Sequence, residues 1–397
     1  MERNRILFLT DYCLTPFEKI PSSGILCEDG KIIGIGGASA FSMYESGLEI
    51  VHLENCYAVP GFIDSHIHGI GAFDASLAAE QTEENLESMS RNLAKHGVTT
   101  FFPTIVSRPR DSMIRTVDKL TALLEQGCSN AEAPAIHIEG PFINKEKRGA
   151  QDPDSICDID LGYAREMFQA GRNRIKLMTF APELQHSEKL IELMLEYGII
   201  PSMGHSMADE EQTLRTIDAG CTRCTYIFNG MPTLRHRKSS LTDVALTDDR
   251  VAVEIICDGA HIHRRIVDLT VRCKPKDKII GISNAVTSVT PYAPDALQKI
   301  DSALENDTGI VKNQEGIITG GTMTLENSWL HLMNYANMDQ ALAAACFSLN
   351  PAINLGLFTR GEIRPGRRAD ITFFDSRTNT VHMTVVRGKI IYNCNNY

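Results

Sequence analysis

The chain is short of several features, and each shortage removes a class of function. Basic charge is scarce: 39 Lys and Arg stand against 50 Asp and Glu, a net charge of −11. Such a molecule repels a polyanion, so general nucleic-acid binding is not expected. Long apolar runs are missing too. Residues 6–9 are too few for the apolar core of a secretory signal, and no later run would span a bilayer. A cytoplasmic protein with no membrane partner is therefore expected. The dinucleotide fingerprint Gly-x-Gly-x-x-Gly does not occur, and Gly34-Ile-Gly36-Gly37 is a lone near match read as turn glycines. Cys221-Thr-Arg-Cys224 is the single Cys-x-x-Cys pair. Without a second pair, the 11 cysteines read as reduced thiols, mostly small core residues. No sustained heptad pattern or long basic segment points to another protein partner.

What remains is a globular composition, 43% hydrophobic over 397 residues, enough for a large core. Eight short apolar runs recur through the middle, at residues 58–63, 98–106, 135–138, 175–180, 199–203, 224–228, 251–257 and 279–283. Amphipathic stretches such as 83–95, 111–125, 187–197 and 209–219 lie between them. This alternation predicts an α/β fold, a (β/α)₈ barrel. An open doubly wound sheet is the alternative, but it would ordinarily carry the missing glycine fingerprint. Both ends of the chain are β-rich. Asp29-Gly30 separates two strand-like runs as a hairpin signal, and residues 369–375 and 385–392 read as strands. The expected organisation is a small β-sandwich domain from 1–58 and 359–397, with a catalytic barrel over 59–358.

In such a barrel the chemistry gathers where strands pass into loops. The third run ends on Glu139, a carboxylate that is costly to bury without a partner. The first run ends in Asp64-Ser-His66-Ile-His68. The two histidines are two residues apart and share one face of an extended strand. Imidazole pairs of this kind hold transition metals, with Glu139 and His205 as oxygen and nitrogen partners. After Asn229-Gly230 comes Arg235-His-Arg237-Lys238, a cationic cluster suited to an anion.

At these positions the chain resembles the N-acetylglucosamine-6-phosphate deacetylases of the amidohydrolase superfamily. The resemblance runs through Pro60-Gly-Phe-Ile-Asp-Ser-His-Ile-His-Gly69, Gly97-Val-Thr-Thr-Phe-Phe-Pro-Thr104, His137-Ile-Glu-Gly-Pro-Phe142, Ala181-Pro-Glu183, Gly204-His-Ser206, Phe228-Asn-Gly-Met231, Asp258-Gly-Ala-His261 and Gly361 to Asp370. It implies a barrel of the metal-dependent amidohydrolase type and hydrolysis of an acetamido group on an amino-sugar phosphate. One or two divalent ions (zinc, iron, manganese or similar) would serve the reaction, and the protein would be a homodimer. It also implies that Glu139 and His205 are metal ligands, with His66 and His68 as a second-metal pair. Asn229, Gly230 and Arg237 would hold the phosphate, and His261 would contact substrate and serve catalysis.

Two departures fall on the chemistry. Where the family pattern has a metal-binding histidine in strand 6, this chain has Tyr226. Where it has the catalytic Asp in strand 8, this chain has Asn284, and an amide cannot take a proton at neutral pH. Gln151 stands where the family often has His. The altered ligands place an expected metal toward His66 and His68, with the Asn284 amide oxygen as a further donor and the Cys224 thiol as a lesser alternative. Three readings stay open: an active deacetylase with altered metal use, a silent relative that binds a sugar phosphate, and a hydrolase of another N-acyl or cyclic amide.

Overall fold

The computed structural model describes residues 5–16, 18–41, 48–287, 310–312 and 316–396. Strands β1 (Arg5–Leu14), β2 (Lys19–Glu28), β3 (Lys31–Gly37) and β4 (Glu49–Pro60) open the chain. Together with three C-terminal strands they form a seven-stranded sheet among the described residues. Asp29 and Gly30 take positive φ of 48° and 80° between β2 and β3, the conformation a two-residue hairpin turn requires. The sheet folds over its long strand β4. Phe8 pairs with Val51 and Phe373 with Ala58, positions that a flat β4 would hold roughly 23 Å apart. Their rings nevertheless meet at 5.1 Å between centroids. The expected sandwich is thus one continuous sheet closed on its own core of Ile6, Phe8, Ile25, Ile371 and Met383.

The barrel strands are β5 (Phe62–Ile67), β8 (Val98–Val106), β9 (Ile136–Glu139), β10 (Ile175–Phe180), β11 (Ile200–Met203), β12 (Arg223–Cys224), β13 (Ala252–Ile256) and β14 (Ile279–Ile282). They pair in chain order in one eight-stranded sheet. A small ribbon, β6 (Gly69–Ile70) with β7 (Phe73–Asp74), follows β5. The sheet closes at its C-terminal rim, where Asn284 N–H donates to His66 O at 3.0 Å and His68 N–H to Ala285 O at 2.9 Å. The last pairing of the barrel therefore brings the ends of β5 and β14 together. A second ribbon, β15 (Ile310–Lys312) with β16 (Ile318–Gly321), joins this rim through Gly321 N–H to Asn284 O at 3.1 Å.

Helices α1 (Glu83–Lys95), α2 (Arg110–Gln126), α3 (Leu161–Ala170), α4 (Ser187–Glu196), α5 (Glu210–Asp218), α6 (Leu241–Thr247) and α7 (Arg264–Cys273) lie between the strands. The four stretches named from the sequence match α1, α2, α4 and α5 to within a residue at each end. Helices α8 (Leu325–Ala336), α9 (Gln340–Phe347) and α10 (Leu349–Asn354) lead back to β17 (Ile371–Asp375), β18 (Val381–Val386) and β19 (Lys389–Asn393). Trp329 of α8 seals the junction, its ring 5.6 Å from Phe62 of the barrel and 5.0 Å from Phe374 of the terminal sheet.

Three strand expectations are corrected. The first barrel strand is Phe62–Ile67 rather than 58–63, because Ala58 to Pro60 pair with β17 in the other sheet. Gly61 makes the switch: a Cβ there would lie 2.3 Å from Thr99 Cγ2, so only glycine passes. The sixth strand stops at Cys224, since Tyr226 and Phe228 take left-handed φ of 23° and 78°. Residues 385–392 are not one strand but a hairpin, turned by Arg387 and Gly388 at φ of 47° and 71°.

Candidate active site

Strand β5 carries His66 inside its last turn of pleat, with His68 just beyond its end, while β9 ends on Glu139. All three are buried. One ligand atom from each comes within 4.8 Å of the others. Glu139 divides its two oxygens between two sides. Oε2 faces His66 Nε2 at 2.9 Å and His68 Nε2 at 3.3 Å. Oε1 faces His205 Nε2 at 2.6 Å and accepts from the Tyr226 hydroxyl at 2.6 Å and Gln151 Nε2 at 2.8 Å. The Tyr226 hydroxyl also touches His205 Nε2. Asn284 Oδ1 lies 3.1 Å from His68 Nε2. His205, Tyr226 and Asn284 all have left-handed backbones, a strain of the kind that clusters at working sites.

A second layer holds this centre, and the sequence reading missed it. Glu254, fully buried in β13, meets His66 Nδ1 at 2.9 Å and accepts the Tyr226 N–H at 3.2 Å. Arg223, fully buried in β12, donates from Nε and Nη2 to Glu254 Oε1 at 3.0 and 2.7 Å. The signal was present: a carboxylate inside the apolar run 251–257 and a guanidinium opening the strand before it cannot be buried unpaired. Burial alone would lift the Glu254 carboxyl, but Arg223 and His66 outweigh it and hold it at about 2. Burial opposes protonation of His66, yet Glu254 and Glu139 push it up to about 9. Glu139 resists burial too, held well below the usual carboxylate range by His205, His66 and His68. The Tyr226 phenol is pushed well above its ordinary value by burial and by the Glu139 charge, so it stands as a neutral donor. Cys224 is buried with its thiol driven well up, which does not suit it as a thiolate ligand.

The centre opens into a cavity of about 260 Å³ lined by His68, Glu139, Gln151, His205, Asn229 and His261 among others. Gly230 is also in its wall, where a Cβ would lie 3.0 Å from His205 Nδ1. Arg237 is not: it is exposed on its loop and lines neither this cavity nor the neighbouring hollow of about 170 Å³ formed by Lys147, Arg235 and Lys238. The cationic loop swings outward after Met231, and the guanidinium at the cavity belongs to Arg148 instead. Arg148 Nε is buried without a hydrogen-bond partner.

A buried His-x-His strand, a strand-end glutamate and a cavity at the rim of a (β/α)₈ barrel are the features of metal-dependent hydrolases. The chain belongs to the amidohydrolase family, whose model matches residues 57–391. Within it, the chain is similar to the N-acetylglucosamine-6-phosphate deacetylase of Bacillus subtilis (strain 168), with 27% identity over 96% of this chain and 95% of that one. It is similar also to the N-acetylgalactosamine-6-phosphate deacetylase of Escherichia coli O157:H7, with 25% identity over 80% of this chain and 83% of that one. The solved N-acetylglucosamine-6-phosphate deacetylase of Thermotoga maritima superposes with a TM-score of 0.82 at 26% identity, over 98% of this chain and 99% of that one.

Proposed function

We propose that this amidohydrolase removes the N-acetyl group from an amino-sugar 6-phosphate with the help of one divalent metal ion. The convergence of His66, His68 and Glu139 beside a cavity with an unpartnered Arg148 Nε carries the reading, and the names of the relatives support it. Two donor sets surround Glu139, and they differ in fitness for a metal. On the His205 side, Oε1 is already met by His205, Tyr226 and Gln151, and a neutral phenol is a poor ligand. On the other side, two imidazole nitrogens, a carboxylate oxygen and the Asn284 amide oxygen form a nitrogen–oxygen set suited to zinc, iron or manganese. Glu254 fixes His66 from behind, as carboxylates commonly do for metal-binding histidines. A metal bound there would polarise the acyl oxygen and acidify a water. Arg148, Asn229 and the Gly230 backbone would receive the phosphate.

The proposal includes two domains, 1–58 with 359–397 and 59–358, supported by the separate core of the terminal sheet. It also includes a cytoplasmic homodimer. The 11 unpaired cysteines support a reducing compartment, and among the described residues no helix is long and apolar enough to cross a membrane. Light scattering checks the dimer.

The test is metal content and amine release from N-acetylglucosamine 6-phosphate for the wild type, His66→Ala and His205→Ala. Metal is expected to be lost in His66→Ala and largely kept in His205→Ala. Equal loss in both would count against a site shifted toward His66 and His68. The amide at position 284 favours one second reading, a relative that binds the sugar phosphate without hydrolysing it. Thermal stabilisation by the sugar phosphate with no turnover would select that reading.

A further inference from the structure

We propose that His261, held by Asp258, is the acid–base catalyst that works in place of the carboxylate absent at position 284. The inference rests on the deacetylase reading above and names the proton carrier that this reading needs. Asn284 faces His68 at 3.1 Å and can neither take nor give the proton. Of the other titratable groups of the cavity, His68, His205, Tyr226 and Glu139 are engaged, and Asp74 Oδ1 accepts the Ser76 N–H at 2.8 Å. His68 spends its nitrogens on Thr104 O and on the Glu139 and Asn284 side chains. His205 spends its own on Lys147 O and Glu139. Tyr226 donates to Glu139, and both oxygens of Glu139 are occupied.

His261 is placed differently. Its Nδ1 lies 2.5 Å from Asp258 Oδ2. The Asp258 carboxylate is itself pinned, because Oδ1 accepts the N–H groups of Ala260 at 2.9 Å and His261 at 2.8 Å. Burial would raise the Asp258 carboxyl, but His261 and these N–H groups keep it below its ordinary value. An ionised partner at Nδ1 puts the imidazole proton there and leaves the lone pair on Nε2. Nε2 makes no hydrogen bond to any described residue, and His261 lines the cavity. A carboxylate–imidazole pair with its outer nitrogen open to the substrate is the arrangement that hydrolases use to move one proton twice.

The step balances as follows. Water oxygen bonds to the acyl carbon while His261 Nε2 takes a proton from that water. The imidazolium is offset by Asp258. The same proton passes to the amide nitrogen as the carbon–nitrogen bond breaks, releasing the amine and acetic acid, which ionises to acetate. Asp258 is a positioning residue in this scheme. Cys257 and the α8 residue Tyr335 interact with Asp258, and Arg264 at the start of α7 and His331 lie beside Tyr335. Asp74, Glu139, Arg148, His68, His205 and Tyr226 line the same cavity as His261.

The experiment measures acetate release from N-acetylglucosamine 6-phosphate with added manganese, for the wild type, His261→Asn, His261→Gln, Asp258→Asn and Asp74→Asn. Both His261 variants are expected to lose about 10²–10⁴-fold in kcat with KM little changed, and to lose the acidic limb of the kcat–pH profile. The wild type is expected to show a downfield proton resonance from His261 Nδ1–H, and Asp258→Asn should lower kcat and remove it, a change that mere loss of packing would not produce. Full kcat in either folded His261 variant overturns the assignment. So does a loss confined to Asp74→Asn, Asp74 being a carboxylate that lines the cavity alongside Glu139. A wild type that releases no acetate removes the deacetylase reading itself, and the proposal falls with it.

Discussion

Glu139 is one carboxylate with two duties, and its neighbours decide which oxygen stays available. Tyr226 is the deciding neighbour. Its hydroxyl closes the His205 side by donating to Oε1, whereas an imidazole would bring a lone pair to the same place. Tyr226→His is therefore expected to raise the metal bound at saturation by about one equivalent, read by elemental analysis after gel filtration; an unchanged ratio would mean that Tyr226 does not close that side. Glu254 acts on the opposite side. Replacing it with Gln removes the acceptor that orients His66 and leaves Arg223 buried without its counter-charge. Manganese affinity should fall about 10–100-fold in a calorimetric titration, and an unaltered affinity would show that β5 alone orients the imidazole.

At the scale of elements, the barrel works by placing turns as much as strands. β12 ends early because Glu254 draws the Tyr226 N–H away from the ladder, and this aims the phenol inward. Glycines set the closest approaches. Gly281 of β14 faces Phe347 of α9, and a Cβ there would lie 2.1 Å from the ring. Gly281→Ala should cost roughly 1–3 kcal/mol by overpacking, measured from urea midpoints. Combined with Phe347→Leu the cost should be less than additive, while strict additivity would show that the two residues do not compete for space.

For the whole molecule, one carboxylate ties the barrel to the terminal sheet. Glu132 meets Arg360 at 2.7 Å, Arg368 at 2.8 Å and Arg387 at 2.7 Å, residues that flank the C-terminal strands. Burial opposes its charge, but the guanidinium groups hold it at about 2. A folded pKa below the unfolded value of about 4.3 stabilises the native state above that pH, and the contribution is lost as pH falls toward 2. Glu132→Gln should cost roughly 3 kcal/mol at neutral pH, near the low end for a buried pair because Glu132 is 20% exposed. The gap to wild type should close in acid; a gap constant with pH would assign the effect to packing.

Much of this was legible in the chain itself. Apolar runs alternating with amphipathic stretches point to a parallel α/β fold, because a strand buried on both faces must be continuously apolar and its crossover helix half apolar, and the missing glycine fingerprint favours the barrel over the open sheet. The convergence of His66, His68, Glu139 and His205 was legible because imidazole and carboxylate side chains at strand ends follow local spacing. Arg237 does not line this chain's own cavity, since charge in a loop says nothing of where the loop travels, and Arg148 lines it instead. The pairing of Glu254 with Arg223, the closure of the His205 side by Tyr226 and the backing of His261 by Asp258 depend on the tertiary structure. Each side chain declares a need for a partner through its own chemistry, but which partner meets it depends on how neighbouring strands and turns are brought together by the fold.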